Sequence, residues 1–331
     1  MSTVQEQQQQ QRRVPPPIPP RPLPRASNVP NVDFAVDSQL AAQQTITTAA
    51  LTTGFAYLRN LPMHIDFPGA RRLFDQCYAS PEFASRFKMP GKDRPSAFNR
   101  QGKWVGDDGI DDKASLDLPA RVFRGPLSEI LKNAYGDDFR NIIAFFQAVE
   151  EQLVPLVVQA TSDAIAHRTG EDIDVWSIRR DGNLHFKLID YHRSTPQPRQ
   201  ACRAHRDGSI ATIIFQDGAG GLEIQDNRTG QWVGIPGNEA VLMWGRSGEV
   251  FSGGAVKAVN HRVNTIATER RTPAIVFIGA DHSTELKPLA AAHREAGTLG
   301  ANGGGVTVGM MHQIMKQHRL RREAFQHGFA S

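Results

Sequence analysis

The stretch HRDGSIATIIFQDGAGGLEIQDNRTGQWVGIPGNEAVLMW (residues 205–244), with VNHRV following at 259–263, decides how this chain folds. Short apolar runs in it are divided by glycine and asparagine turns: Ile210 to Phe215, Gly221 to Ile224, Gln231 to Ile235 and Ala240 to Trp244. Val256 to Val263 and Thr272 to Ile278 continue the rhythm. Such spacing predicts an all-β sandwich or barrel, and with the helical patterns on either side it makes the fold mainly β with flanking helices. Trp232 and Trp244 read as strand packing.

Upstream the period changes. From about Phe139 to His167 the apolar residues Ile142, Ile143, Phe146, Val149 and Leu153 recur at three- and four-residue steps, which predicts a helix with one buried face. Val29 to Phe34 and Gly54 to Leu58 read as short strands around a helical segment. Downstream, residues 286–305 are rich in alanine and glycine and predict a mobile link. A last helix from Val308 to about Phe325 follows, with Met310, Met311 and Met315 as its docking face. The expected organisation is a disordered Gln/Pro-rich tail (1–28), an N-terminal α/β region packed on the core (29–170), the β core (171–285), and the link with its helix (286–331). Pro16, Pro19 and Arg21 fit a ligand pattern for proline-reading domains, but such matches arise readily in proline-rich tails, and a plain solvated extension is preferred.

Composition bounds the function. The 331 residues are 40% hydrophobic and 22% charged, enough apolar material for a sizeable core. No window approaches the roughly 18 uninterrupted apolar residues of a spanning helix, and the first thirty residues lack the apolar run of a signal peptide. Cys77 and Cys202 are too few for a disulfide framework, so a cytoplasmic protein is expected. The net charge of +4 lies in the tails: four arginines against Glu6 in residues 1–28, and Lys316 with three arginines against Glu323 in 312–331. The body is slightly acidic, which argues against a nucleic-acid groove or a membrane-binding face and for a small-molecule substrate.

Three His-x-acid pairs occur: His64-Ile65-Asp66, His205-Arg206-Asp207 and His293-Arg294-Glu295. In an extended strand residues i and i+2 point the same way, so each pair offers an imidazole beside a carboxylate. Only Asp207 is followed at a plausible distance by another strand-borne histidine, His261, 54 residues on. Two histidines and one carboxylate on one face of a metal leave the opposite face open, which suits Fe(II) binding a co-substrate and dioxygen together. Zinc accepts the same ligands, but it has no redox chemistry, and no zinc-hydrolase motif with a glutamate base is present. Cys202, three residues before His205, reads as a packed thiol rather than a redox sensor.

Around His261 the chain resembles the Fe(II)/2-oxoglutarate-dependent dioxygenases, in the branch that includes isopenicillin N synthase. Gly245, Glu249, Ser252, Gly254, Lys257, Ala258, His261, Arg262 and Val263 fall in that family's register without a gap. Gly220-Gly221-Leu222, Trp232, Pro236 and Gly237 occupy its turn-and-strand pattern, and the likeness covers about residues 29–285. The resemblance implies a distorted double-stranded β-helix, or jelly roll, with His205, Asp207 and His261 at its mouth holding Fe(II). It also implies 2-oxoglutarate and O2 as co-substrates and oxidation of a C–H bond of a small metabolite in specialised metabolism.

Nine residues after His261, Arg270-Arg271-Thr272 fits the family's Arg-x-Ser/Thr element. Arg270 and Thr272 would then share a strand face and hold the far carboxylate of 2-oxoglutarate. Taken alone, Arg270 reads as a surface ion pair; beside the triad, the carboxylate clamp is preferred. In Asp190-Tyr191-His192, two places depart from the family's Asn and Tyr, so His192 would replace a phenol on the co-substrate. Asp190 would repel an anion unless paired or protonated. The alternatives are an oxidase that uses Fe(II) and O2 without 2-oxoglutarate, a metal-free binding module, and an interaction protein working through the proline-rich tail.

Overall fold

A computed structural model describes residues 28–85, 98–101, 105–106, 109–110, 113–120, 126–170, 174–175, 184–191, 199–265, 269–284 and 307–313. In chain order the strands are β1 (Asn31–Asp33), β2 (Phe55–Arg59), β3 (Phe98–Gln101), β4 (Val105–Gly106), β5 (Gly109–Ile110), β6 (Lys113–Pro119), β7 (Leu184–Tyr191), β8 (Arg199–His205), β9 (Ala211–Phe215), β10 (Leu222–Gln225), β11 (Trp232–Gly234), β12 (Ala240–Trp244), β13 (His261–Thr265) and β14 (Ala274–Ile278). The helices are α1 (Gln39–Leu51), α2 (Phe67–Ala79), α3 (Pro81–Ser85), α4 (Pro126–Thr169) and α5 (Arg246–Phe251).

Two sheets carry the site. The larger runs β1-β2-β12-β9-β14-β7-β6-β3 and the smaller β11-β10-β13-β8. The eight strands β7 to β14 divide four and four between the sheets as in a jelly roll, with the hairpin β10-β11 kept within the smaller one, and the assembly stays open rather than closing into a barrel. The N-terminal α/β region, expected to pack on the core, also contributes strands to the larger sheet. β2 is buried on both faces at four of its five positions and pairs with β12, and β6 pairs with β7, so both widen the larger sheet. The strand expected from Val256 begins only at His261. Before it the chain is irregular, held by the Val259 N–H donating to the Trp244 carbonyl at 3.0 Å.

Strand alternation separates two apolar clusters. One lies between the larger sheet and the helices and includes Phe74, Phe146, Phe186, Leu188, Trp244 and Val276. The other lies between the sheets and includes Tyr57, Tyr191, Ile214, Leu222, Val263 and Ile275. On β7, therefore, Phe186 and Leu188 face the helices while Ile189 and Tyr191 face inward; on β14, Val276 and Ile278 face the helices while Ile275 and Phe277 face inward. This parity fixes what each neighbouring charged residue can reach.

The helices follow local signals. Ser38 caps α1 by accepting from the Ala41 N–H, and Asp66 caps α2 by accepting from the Gly69 N–H. The long α4 is broken by Gly136, whose φ of 70° and ψ of −158° are not helical; the regular stretch beyond it carries the apolar face read from the sequence. Leu131–Thr169 is long and apolar enough to cross a membrane by length and composition alone. Here that face is a core face: Phe146 packs on Phe186 at 4.5 Å between ring centroids, and Phe145 on Phe215 at 4.9 Å. The final helix is described for 308–313, where Val308 and Met311 are buried and Met310 is exposed. The proline-rich tail and the alanine/glycine link lie outside the described residues.

Two predictions arise from the core. The Trp244 indole N–H donates to Thr161 Oγ1 at 3.0 Å with both groups buried. Thr161→Val strands a buried donor and is expected to cost about 1–3 kcal/mol, seen as a lower denaturant midpoint at unchanged slope. Burial pushes the Cys77 thiol up to about 12, while Cys202 is partly exposed. A thiol reagent is expected to modify Cys202 promptly in the native protein and Cys77 only on unfolding.

Candidate metal and co-substrate site

β8 ends at His205 and β13 begins at His261, and the two residues are direct partners in the antiparallel ladder. Their rings lie side by side, 4.2 Å between centroids. Asp207 sits just past the end of β8. Its Oδ1 is 3.5 Å from His205 Nε2 and 3.8 Å from His261 Nε2, while Oδ2 accepts from Thr212 Oγ1 at 2.7 Å. Ser209 Oγ in turn lies 2.9 Å from Thr212 Oγ1, and the Gly208 carbonyl accepts from Ser247 Oγ at 2.5 Å and His312 Nε2 at 3.0 Å. The loop bearing the acid is therefore held from three sides. Among the described residues, His205, Asp207 and His261 form the group whose ligand atoms lie within 4.8 Å of one another.

Electrostatics suits a cation. His205 Nδ1 lies 2.7 Å from the Arg203 carbonyl, which can only accept, so Nδ1 keeps its proton and Nε2, facing Asp207, is the nitrogen that would give up its proton to a metal. Burial and then the neighbouring His205 push His261 down to about 4, so this imidazole is neutral and able to ligate at neutral pH. Burial by itself would raise the Asp207 carboxyl; its pairing with the two imidazoles, His261 and His205, and the Thr212 hydrogen bond hold it well below the usual carboxylate range. A neutral imidazole, a carboxylate and a second imidazole with a directed Nε2 fit a divalent metal.

The structure places Arg270 and Thr272, the pair expected to hold the co-substrate, on Asp190. Arg270 faces the helices: it makes a fork with Asp190, from Nε at 2.7 Å and from a terminal nitrogen at 2.9 Å, and pairs with Asp75 of α2 at 2.8 Å. Thr272 Oγ1 donates to the same Asp190 at 3.2 Å, and the Thr272 N–H donates to Asp217 at 2.6 Å. Asp190, fully buried, also accepts from the Tyr78 hydroxyl at 3.0 Å. Its carboxylate is thus paired on the outer face and does not confront an anion inside. His192 lies outside the described residues.

The guanidinium inside the jelly roll belongs to Arg271. It is 3% exposed and sits 5.3 Å over the Tyr191 ring, and its hydrogen bond to Gln216 Oε1 is long, at 3.4 Å. Its Nε has no hydrogen-bond partner among the described residues. A buried, incompletely paired guanidinium is a site for an anion. The sequence contained one pointer to this: Asp190 needed a cation, and Arg270, just ahead of the neighbouring strand β14, supplies it, leaving Arg271 for the interior.

Fold and side chains together define the class: a jelly roll carrying a two-histidine, one-carboxylate metal centre and an inward arginine, the architecture of non-haem iron oxygenases. Residues 183–280 match the model of the 2OG-Fe(II) oxygenase superfamily. The chain is 30% identical over 105 residues to feruloyl CoA ortho-hydroxylase 2 of Arabidopsis thaliana, covering 30% of this chain and 29% of that one. It is 33% identical over 88 residues to the 2-oxoglutarate-dependent dioxygenase citB of Monascus ruber, covering 26% and 27%. The matched stretch thus spans less than a third of either relative. Among solved structures, dioxygenase for auxin oxidation 1 of Arabidopsis thaliana, in its 2-oxoglutarate complex, superposes with a TM-score of 0.62 at 18% identity, covering 80% of this chain and 99% of that one. The rice dioxygenase for auxin oxidation gives 0.53 at 16% identity, covering 91% and 96%. These superpositions establish the shared fold.

Proposed function

We propose that this protein is an Fe(II)- and 2-oxoglutarate-dependent dioxygenase that oxidises a C–H bond of a small metabolite, in the cytoplasm and within specialised metabolism. The observation that carries the reading is the convergence of His205, Asp207 and His261 in a jelly roll whose interior also holds the buried, under-paired Arg271. The three ligands would hold Fe(II), which with 2-oxoglutarate and O2 supplies oxidising power that side chains lack. The rest is the chain's own contribution. Arg271 binds and orients the far carboxylate of 2-oxoglutarate, with the Tyr191 ring fixing the guanidinium plane. Thr212 holds the Asp207 carboxylate in one orientation, and the apolar wall of Ile214, Leu222, Val263 and Ile275 keeps water from the reacting centre. The named activities of the relatives, on feruloyl CoA among others, support a small-metabolite substrate.

The test is anaerobic loading with Fe(II), then oxygen uptake and succinate formation in a metabolite extract, with and without 2-oxoglutarate. The expected result is succinate, made only when 2-oxoglutarate is present and lost in His205→Ala. Oxygen uptake without 2-oxoglutarate would establish the oxidase alternative, with Arg271 holding the substrate's own carboxylate.

A further inference from the structure

The inner face of the larger sheet carries a polar group that neither the metal centre nor the co-substrate clamp uses. It is built from Asp117 on β6, His185 and Lys187 on β7 and Phe277 on β14. Asp117 Oδ1 is 3.3 Å from His185 Nε2 and 2.9 Å from Lys187 Nζ, and the Ser115 hydroxyl lies 3.3 Å from Oδ2. The Phe277 ring is 6.2 Å from the His185 ring and 6.0 Å from Lys187 Nζ. His185 and Lys187 share the inward parity of Ile189 and Tyr191. Neither is sealed in the core; their side chains are 35% and 27% exposed.

The cluster is in line with the metal centre. Thr212, which holds Asp207, is the ladder partner of Phe277, and Phe277 is the ladder partner of His185. Directly paired residues lie on one face about 5 Å apart, so His185 stands roughly 10 Å along the sheet from the threonine that anchors the metal ligand. A small molecule reaching from one to the other spans about one or two rings.

Hydrogen-bond logic says what it would present. An ionised carboxylate only accepts, so His185 gives its Nε2 proton to Asp117 and keeps a lone pair on Nδ1. Burial alone would raise the Asp117 carboxyl; the His185 hydrogen bond and the Lys187 charge outweigh it, so the acid stays ionised and this tautomer persists. His185 Nδ1 makes no hydrogen bond among the described residues, and Lys187 has three donors with Asp117 as its partner there. An acceptor beside a cationic donor matches a hydroxyl, which gives its proton to Nδ1 and takes one from Nζ; the cation favours the more acidic phenol. The Phe277 ring supplies a face for an aromatic frame.

Resting on the dioxygenase reading above, we propose that Asp117, His185, Lys187 and Phe277 form the substrate subsite, and that it selects aryl substrates bearing a phenolic hydroxyl. The test uses the full chain loaded with Zn(II), which is redox-silent and diamagnetic, and saturated with 2-oxoglutarate. Phenol, anisole and benzoate are titrated by saturation-transfer NMR. Phenol is expected to bind at least tenfold more tightly than the other two. His185→Phe and Lys187→Met should each erase that preference, Lys187→Arg should keep most of it, and 2-oxoglutarate affinity should be unchanged in all three. Equal behaviour of phenol and anisole in the unaltered protein, including no binding of either, overturns the proposal, as does benzoate binding best or a preference that survives both variants. Failure of 2-oxoglutarate to bind would instead count against the dioxygenase reading, and the phenol preference can then still be read in its absence.

Discussion

Arg271→Ala is expected to raise the KM for 2-oxoglutarate by about a hundredfold, whereas Arg270→Ala should leave it nearly unchanged and lower the melting temperature instead. Truncating one partner of a buried, hydrogen-bonded charge pair costs about 2–5 kcal/mol, and each 1.4 kcal/mol is tenfold in affinity. Arg271 is buried between the sheets and its Nε has no hydrogen-bond partner among the described residues, so its electrostatic capacity is available to a ligand. Arg270 has spent its capacity on Asp190 and Asp75. Removing it leaves the fully buried Asp190 with the weaker donors Tyr78 and Thr272, and breaking a buried pair from one side costs about 3–5 kcal/mol of stability. Arg271→Lys keeps the charge but loses the planar fork over Tyr191, so an intermediate KM is expected. Steady-state kinetics in varied 2-oxoglutarate, paired with thermal melts, reads both effects. A large KM change for Arg270→Ala with none for Arg271→Ala would return the clamp to the register first read from the sequence.

That register shows where sequence reading stops. The candidate metal group was legible because His205 and Asp207 stand two apart at a strand end and His261 lies on a strand of its own; the jelly roll was legible because its runs are punctuated by glycine. The face of β14 was not, because Ala274-Ile275-Val276-Phe277-Ile278 is apolar on both sides: one side meets the helices and the other the opposite sheet. Without alternation, nothing local says whether Arg270 or Arg271 turns inward. β6 was missed for the opposite reason. Lys113, Ser115 and Asp117 make one of its faces polar, which reads as loop until Lys187 and His185 are seen across from it.

Asp207→Ala is expected to abolish metal binding, and the electrostatics of the centre make a second readout available. Hydration lost between the strands would lower the His205 pKa, but the Cys202 sulfur and the Asp207 carboxylate outweigh this and raise it well above the ordinary value. Without metal the centre therefore holds a proton on His205 against Asp207, with His261 neutral. A metal ion must displace that proton, because a ligating imidazole is neutral. Calorimetric titration with Mn(II) in buffers of different ionisation enthalpy should count about one proton released, and affinity should fall about tenfold per pH unit below the His205 value, since binding there is linked to one proton. Binding should also raise the melting temperature in proportion to ligand excess, a shift that Asp207→Ala removes. Thr212→Val keeps all three ligands but frees the Asp207 Oδ2 to turn, so a loss of about 10–100-fold in affinity is expected at undiminished proton release. Metal uptake without proton release would mean that His205 enters the centre already neutral; uptake unaffected by Asp207→Ala would mean that the metal sits elsewhere.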